Sequence, residues 1–359
     1  MQNIAISIII PFFNAKKFLP ICLNNLSNIN FKEKFEIILI NDGSSDNSEK
    51  IVKNFSKIKL RLYSLPKNMG PGAARNLGIK KARGQYIFFL DVDDILDKNI
   101  LSELYNKATK NKIDLIFCDR KWIENNKNLR KNKFAFPKNK IFNLTNIKKA
   151  MDRRFYDPLT AVGLFQTTGR LIKRSIIVKN RIKFEKKLRY LEDEAFEWDL
   201  LGYLKKIVYV HQQLYSYHLH NNINTGLSQG ISNNFPISNF RIVKKHVEKS
   251  LLNKKFQKNK IKKIGNQGYI FLIVSSLISL SRSILLGKIN KTKGLKKRDI
   301  LIKNILLDNK VEMAIKNYKI SKKESTEIIE AIKLKDSSLL KQACNIRAKK
   351  ILNLRRREN

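Results

Sequence analysis

From Ile4 to Ile10 the chain is an Ile-rich run (IAISIII), a pattern that suits a strand buried on both faces. Lys16–Leu26 follows with helical spacing, and Phe35–Ile40 repeats the buried-strand pattern. Asp46 and Glu49 have the spacing of a capping box, which predicts a helix to about Phe55. Lys59–Leu65 reads as a third strand. Pro71 takes a first helical position and Gly84 the position where that helix would stop. Tyr86–Leu90 reads as a fourth strand, Leu96–Lys110 as a helix and Ile113–Cys118 as a fifth strand. Strands alternating with helices predict an α/β domain with a mostly parallel sheet and right-handed crossovers. Such sheets bind ligands beyond the carboxyl ends of their strands.

After Asp119 the pattern loosens. Residues 120–143 are polar and basic and read as loop or short strands. A helix around Asn146–Phe155, a strand at Thr168–Lys173, a helix at Asp193–Leu204 and strands at Ile207–Val210 and Leu214–Tyr217 follow. The expected organisation is one domain over residues 1–238, with halves 1–118 and 119–238, and a helical region over 239–359. No internal repeat is visible. Gly268–Leu280 is apolar apart from its serines, and at 13 residues is too short to span a bilayer. It reads as a buried core helix, with a membrane-surface helix between Lys258–Lys263 and Lys291–Arg298 as the alternative.

Composition adds two constraints. Hydrophobic residues make up 43 % of the 359, enough for a large core. The three scattered cysteines suggest neither a disulfide framework nor a Cys-based zinc site, and a reducing cytoplasm fits them. No signal peptide is expected, because the N-terminus lacks a basic region and Pro11 interrupts its apolar run. The net charge of +43 points to an anionic partner, although Lys, Asn and Ile are abundant everywhere, as a compositional bias would produce. Residues 241–359 hold 32 Lys/Arg against 9 Asp/Glu, a net of +23.

The strand ends carry the chemistry. They are Pro11-Phe12-Phe13-Asn14, Asn41-Asp42-Gly43-Ser44-Ser45-Asp46 and Asp91-Val92-Asp93-Asp94, with Asn68–Asn76 opening the third helix. Three carboxylates at the rim of an apolar strand repel one another. A hard divalent cation, Mg²⁺ or Mn²⁺, relieves that repulsion and also binds phosphate oxygens. An Asp at position 42 suits the imide N–H of a uracil ring, or an ordinary Asx turn. Arg75, one turn into a helix opened by Gly70-Pro71-Gly72, suits a phosphate or a surface ion pair. The glycine loop lacks the Walker A form.

Ser7–Asn14 (SIIIPFFN), Glu36–Asp46 (EIILINDGSSD), Asn68–Gly78 (NMGPGAARNLG) and Gly84–Asp94 (GQYIFFLDVDD) resemble the leading segments of family 2 glycosyltransferases. The resemblance is dense over residues 4–118 and thin to about 225. It implies a GT-A-type, Rossmann-like sheet flanked by helices, here with a basic helical C-terminal region. It implies an inverting enzyme that uses a UDP-sugar and Mn²⁺ or Mg²⁺. Pro11, Phe13 and Asp42 would hold the nucleoside, with Arg75 near base or diphosphate. Asp91 would contact ribose or metal, and Asp93 would ligate the metal. Phe13 stands where a tyrosine is frequent, so base stacking survives and a hydroxyl contact does not.

The same resemblance places the general base in Arg189-Tyr190-Leu191-Glu192-Asp193-Glu194. Asp193 is the first candidate, Glu192 the second and Glu194 the least suited. His218 would approach the diphosphate, and the His218/His220 pair lacks the further ligands a metal site needs. Arg170, in Gly169-Arg170-Leu171, stands before the acceptor segment. The expected acceptor is a glycan or lipid-linked acceptor of surface polysaccharide or glycolipid synthesis. The expected place is the cytoplasm, peripheral on the inner membrane face, held by the basic region with about 1 kcal/mol per surface cation. A nucleic-acid-binding protein and a sugar nucleotidyltransferase are the competing readings. The first lacks interleaved aromatics in the tail, and the second wants a Gly-rich, Lys-containing loop after the first strand. No nucleic-acid partner is expected.

Overall fold

The computed structural model describes residues 4–124, 127–131, 140–157, 162–219, 236–287, 289–320 and 325–357. The chain divides into two units, Met1–Ala150 with Thr160–Leu219, and Met151–Leu159 with His220–Asn359. The described residues of the first unit end at Leu219 and the chain is next described from residue 236, close to the expected division at 238/239; a short piece from mid-chain belongs to the second unit.

The first unit is built on one mixed sheet. Its elements are β1 (Ile6–Phe12), α1 (Leu19–Ser27), β2 (Phe35–Asn41), α2 (Ser48–Lys53), β3 (Leu60–Ser64) and α3 (Pro71–Lys81). β4 (Tyr86–Phe89), β5 (Ile95–Leu96), α4 (Ile100–Lys110), β6 (Leu115–Glu124), β7 (Lys127–Lys131), β8 (Ile141–Phe142) and α5 (Leu144–Arg153) follow. A 3₁₀ turn, Val162–Phe165, leads to β9 (Arg170–Lys173), α6 (Arg174–Lys179), α7 (Glu192–Leu201) and β10 (Ile207–Leu219). The order across the sheet is β3-β2-β1-β4-β9-β6-β10-β5. β3, β2, β1 and β4 are parallel. β9 then inserts antiparallel between β4 and β6, so the fifth expected strand does not neighbour the fourth.

Burial on both faces explains the apolar run of β1. Ile6, Ile8 and Ile10 enter a core shared with α1 and α4. Ile9 faces α3 so closely that a Cβ on Gly78 would lie 2.3 Å from its Cγ2. The two short strands expected after residue 206 form the single strand β10, with register irregularities between Val210 and Tyr215. The capping box does not form. Asp46 accepts from the backbone N–H of Ser48 and Lys16, and Glu49 takes Asn41 and Ser64.

The second unit is helical: α8 (Ile237–Asn253), α9 (Lys258–Leu285), α10 (Lys291–Leu306), α11 (Asn309–Ile315), α12 (Thr326–Lys333) and α13 (Ser337–Arg357). The 13-residue stretch expected as a core helix is the middle of the 28-residue α9. By length and composition α9 could cross a membrane, yet 67 % of its most apolar window is buried inside the protein. It packs on α8, α10, α11 and α13, and a Cβ on Gly268 would meet the Phe155 ring at 2.4 Å.

Candidate active site

The loops after β1 and β2 are tied together by short polar contacts. Asp42 N–H donates to Phe12 O at 2.8 Å. Asn14, at a left-handed φ of 47°, donates its N–H to Ser44 Oγ at 3.0 Å and accepts from Ser45 N–H at 2.9 Å. Phe13, between these anchors, is 37 % exposed, and Pro11 is half-buried. Asp42 is buried, and its two carboxylate oxygens accept the N–H groups of Met69 and Gly70, each at 2.8 Å. Burial raises its pKa against those N–H groups and the charge of Arg189. In this structure the residue expected to read a base clamps the loop that launches α3. Gly43 (φ 71°) is required there, since a Cβ would lie 2.4 Å from the Lys67 carbonyl carbon.

Arg75, on α3, is the centre of the site. Its guanidinium donates to Asp91 Oδ1 at 2.9 Å and to Asp193 Oδ1 at 3.0 Å, with Glu192 Oε1 at 3.7 Å. It is buried and stands 5.4 Å over the Phe184 ring. Burial opposes its charge, and Asp193, Asp91 and Glu192 together overcome that and hold it above the ordinary arginine value. Arg75 was expected beside a ligand. In this structure it joins the carboxylate turn after β4 to the start of α7.

Two contacts place that helix start. Asn76 Nδ2 donates to Phe184 O at 2.8 Å, and Phe184 N–H donates to Asn76 Oδ1 at 2.9 Å. The Phe184 ring stacks on Phe196 of α7 at 4.0 Å. A Cβ on Gly72 would meet Phe184 Cβ at 3.1 Å and Glu192 Cγ at 3.3 Å, so α3 is small where α7 crosses it. Leu191, just before α7, sits at a φ of 66°, a strained conformation for a leucine that the surrounding packing holds. Glu192 is buried, and burial followed by the charge of Asp193 raises its pKa to about 7. The Asp193 side chain is 44 % exposed, open to an incoming hydroxyl. One turn on, Glu197 is fully buried and pairs with Arg170 at 2.7 Å, with Thr167 Oγ1 donating to it at 3.2 Å.

The carboxylates after β4 divide. Asp94 is buried, accepting the Tyr215 hydroxyl and, at 3.0 Å, the His218 N–H. It fastens the turn to β10 and brings His218 to the cluster. Asp91 and Asp93 remain. Burial, then the charge of Asp91, raises Asp93 to about 7. Among the described residues no group of three or more His, Cys, Asp or Glu is placed to hold a metal unaided. Two hard carboxylates do suit Mg²⁺ or Mn²⁺, which keep several sites for water and phosphate oxygens. A dication there would also relieve the repulsion that lifts Asp93. His220 lies outside the described residues.

Sequence reasoning missed Tyr215, Asn76 and Phe184. Asn76 follows Arg75 in the glycine-rich segment, the only local signal for it.

The sheet flanked by helices is the GT-A-type fold expected from the sequence. The crystal structure of S. aureus TarS 1-349 in complex with UDP-GlcNAc has this fold, with a TM-score of 0.65 at 19 % identity, covering 97 % of this chain and 92 % of that one. The chain belongs to glycosyl transferase family 2, whose model it matches over residues 7–179. It is 33 % identical to an uncharacterized glycosyltransferase of Haemophilus influenzae, over 58 % of this chain and 76 % of that protein. It is 32 % identical to the poly(ribitol-phosphate) beta-N-acetylglucosaminyltransferase TarP of Staphylococcus aureus, over 55 % of this chain and 57 % of TarP. The chain thus spans less than two thirds of the length of TarP. Asp193 lies beyond the family match.

Proposed function

We propose that this protein is an inverting glycosyltransferase that moves a sugar from a UDP-sugar to a hydroxyl of a glycan or lipid-linked acceptor in surface polysaccharide or glycolipid synthesis. The observation that carries this reading is Arg75, which joins Asp91 to Asp193. Donor-side and acceptor-side chemistry therefore share one cluster. Phe13, Pro11 and Asp42 bind the nucleoside, and Arg75 and His218 face the diphosphate. Asp193 takes the proton of the acceptor hydroxyl as its oxygen bonds to the anomeric carbon. The bond from that carbon to the diphosphate breaks, and UDP leaves with the electron pair. Asp93 and Asp91 would hold Mn²⁺ or Mg²⁺, which neutralises the leaving group's charge. TarS has been crystallised with UDP-GlcNAc, which supports a UDP-sugar donor. The net charge of +23 over residues 241–359 supports peripheral attachment to the anionic inner membrane face.

A panel of UDP-glucose, UDP-galactose and their N-acetyl forms, tested for hydrolysis and transfer with Mn²⁺, checks the reading. Turnover that depends on metal and is lost in Asp93→Ala is expected. Full metal-dependent turnover in that variant would remove Asp93 from the site, and no turnover with any UDP-sugar would overturn the donor class.

A further inference from the structure

Between α6 and α7 apolar and basic residues are sorted to opposite sides. Ile182, Phe184 and Leu188 are buried, while Arg181, Lys183, Lys186, Lys187 and Arg189 are exposed. Glu185 is the only acid from 181 to 189. Among the described residues Arg181, Lys183, Lys186 and Lys187 have no carboxylate partner. Arg189 donates to Asn68 O at 3.3 Å, and its charge opposes the burial that raises the pKa of Asp42.

This ridge is held firmly and ends at the catalytic cluster. The two-way amide contact of Asn76 pins Phe184, and the Phe184 ring lies under the Arg75 guanidinium. Phe184 and Glu192 both press on Gly72. Three residues after Arg189 the chain reaches Glu192 and then Asp193.

We infer that residues 181–189 form a docking track for a polyanionic acceptor, a polymer carrying phosphodiester groups, one hydroxyl of which reaches Asp193. The inference rests on the transferase reading above and adds the chemical class of the acceptor. Clustered cations without carboxylate partners repel one another, and a polyanion relieves that repulsion while releasing its own counter-ions. A neutral glycan gains nothing from such a row. Single-stranded nucleic acid would need exposed aromatic platforms, and the ring within the ridge, Phe184, is buried. A bilayer would need exposed apolar side chains between residues 181 and 190, and there are none.

Direct binding by the full chain tests this. The probes are poly(ribitol phosphate), neutral dextran, oligo(dT) and phosphatidylglycerol vesicles, each over a range of salt. The wild type is expected to bind poly(ribitol phosphate) in a salt-sensitive way and dextran not at all. K183Q/K186Q/K187Q changes only exposed side chains, and its thermal unfolding checks that it folds. It is expected to bind at least about tenfold more weakly, with the log–log salt slope reduced by about 2, at about 0.7 per lost contact. An unchanged slope would overturn the inference. So would a loss of binding in the variant that is larger for oligo(dT) or for vesicles than for the polymer, or a variant whose KM rises for the UDP-sugar and not for the polymer. Binding is read without turnover. Ridge-dependent binding by a protein with no transferase activity would sink the functional reading alone, and transfer to a neutral acceptor with no polymer binding would sink this one alone.

Discussion

Arg75 and Asp193 are 118 residues apart in the chain and 3.0 Å apart in the fold. The same guanidinium holds Asp91 at 2.9 Å. The two ends of the site therefore share one counter-ion, and a new negative charge at either end competes for it.

Arg75→Ala would leave Asp91, Glu192 and Asp193 facing one another around a buried gap. Removing one partner of a buried ion pair costs about 3 kcal/mol or more, so the urea midpoint should fall sharply and transfer should vanish. Arg75→Lys keeps the charge but cannot reach both carboxylates in one plane. It should recover most of the stability and little of the rate. Equal recovery of both would contradict the bridging role.

Asp193→Asn keeps the size of the side chain and removes its basicity. Loss of the proposed general base should lower kcat by about 10²–10⁴-fold with little change in donor KM. Glu192→Gln should cost less, because Glu192 is buried beneath Arg75. A larger loss in Glu192→Gln, measured by initial rates, would exchange the two roles.

Asp93 titrates near 7 in the folded chain against an ordinary value of 3.8. Between those values the folded state holds a proton that the unfolded state has released. Stability from this group therefore falls as pH rises across that window and is lowest above it. Metal-free protein should gain melting temperature from this group as pH drops from about 7.5 to about 5.5. Asp93→Asn should melt higher than wild type at the upper pH and depend less on pH. Mn²⁺ should stabilise the wild type at the upper pH and leave Asp93→Asn unmoved, and an equal shift in both would exclude Asp93 as a ligand.

Gly72→Ala sets two effects against each other. Alanine in a helix gains up to about 1 kcal/mol over glycine. Its Cβ would press on Phe184 and Glu192 at 3.1 and 3.3 Å. The melting temperature should change little, while kcat drops about tenfold or more because the start of α7 shifts. Unchanged kcat would show that the contact does not set the position of the proposed base.

The apolar runs of β1, β2 and β4 were legible because a strand buried on both faces needs uniform apolarity, whatever it packs against. The carboxylates at 91–94 were legible for a related reason, since charge directly after such a run must lie at the rim. β10 was split in two, because Gln212 and Gln213 break the apolar pattern at the point where the ladder to β6 is irregular. The failed capping box shows the limit of local spacing. Asp46 and Glu49 found better partners on Lys16, Asn41 and Ser64, which arrive from other strands and loops.

By itself the sequence determined which segments are buried strands, which turns carry carboxylates and where the basic residues concentrate, because each follows from local periodicity and side-chain chemistry. Only the tertiary structure decided how those carboxylates share their work. Asp94 went to Tyr215, Asp91 and Asp193 went to one arginine, and β9 inserted antiparallel beside β4. These pairings join residues up to 121 positions apart. They are set by which helices lie close enough to the sheet for side chains to meet, and no spacing along the chain encodes that.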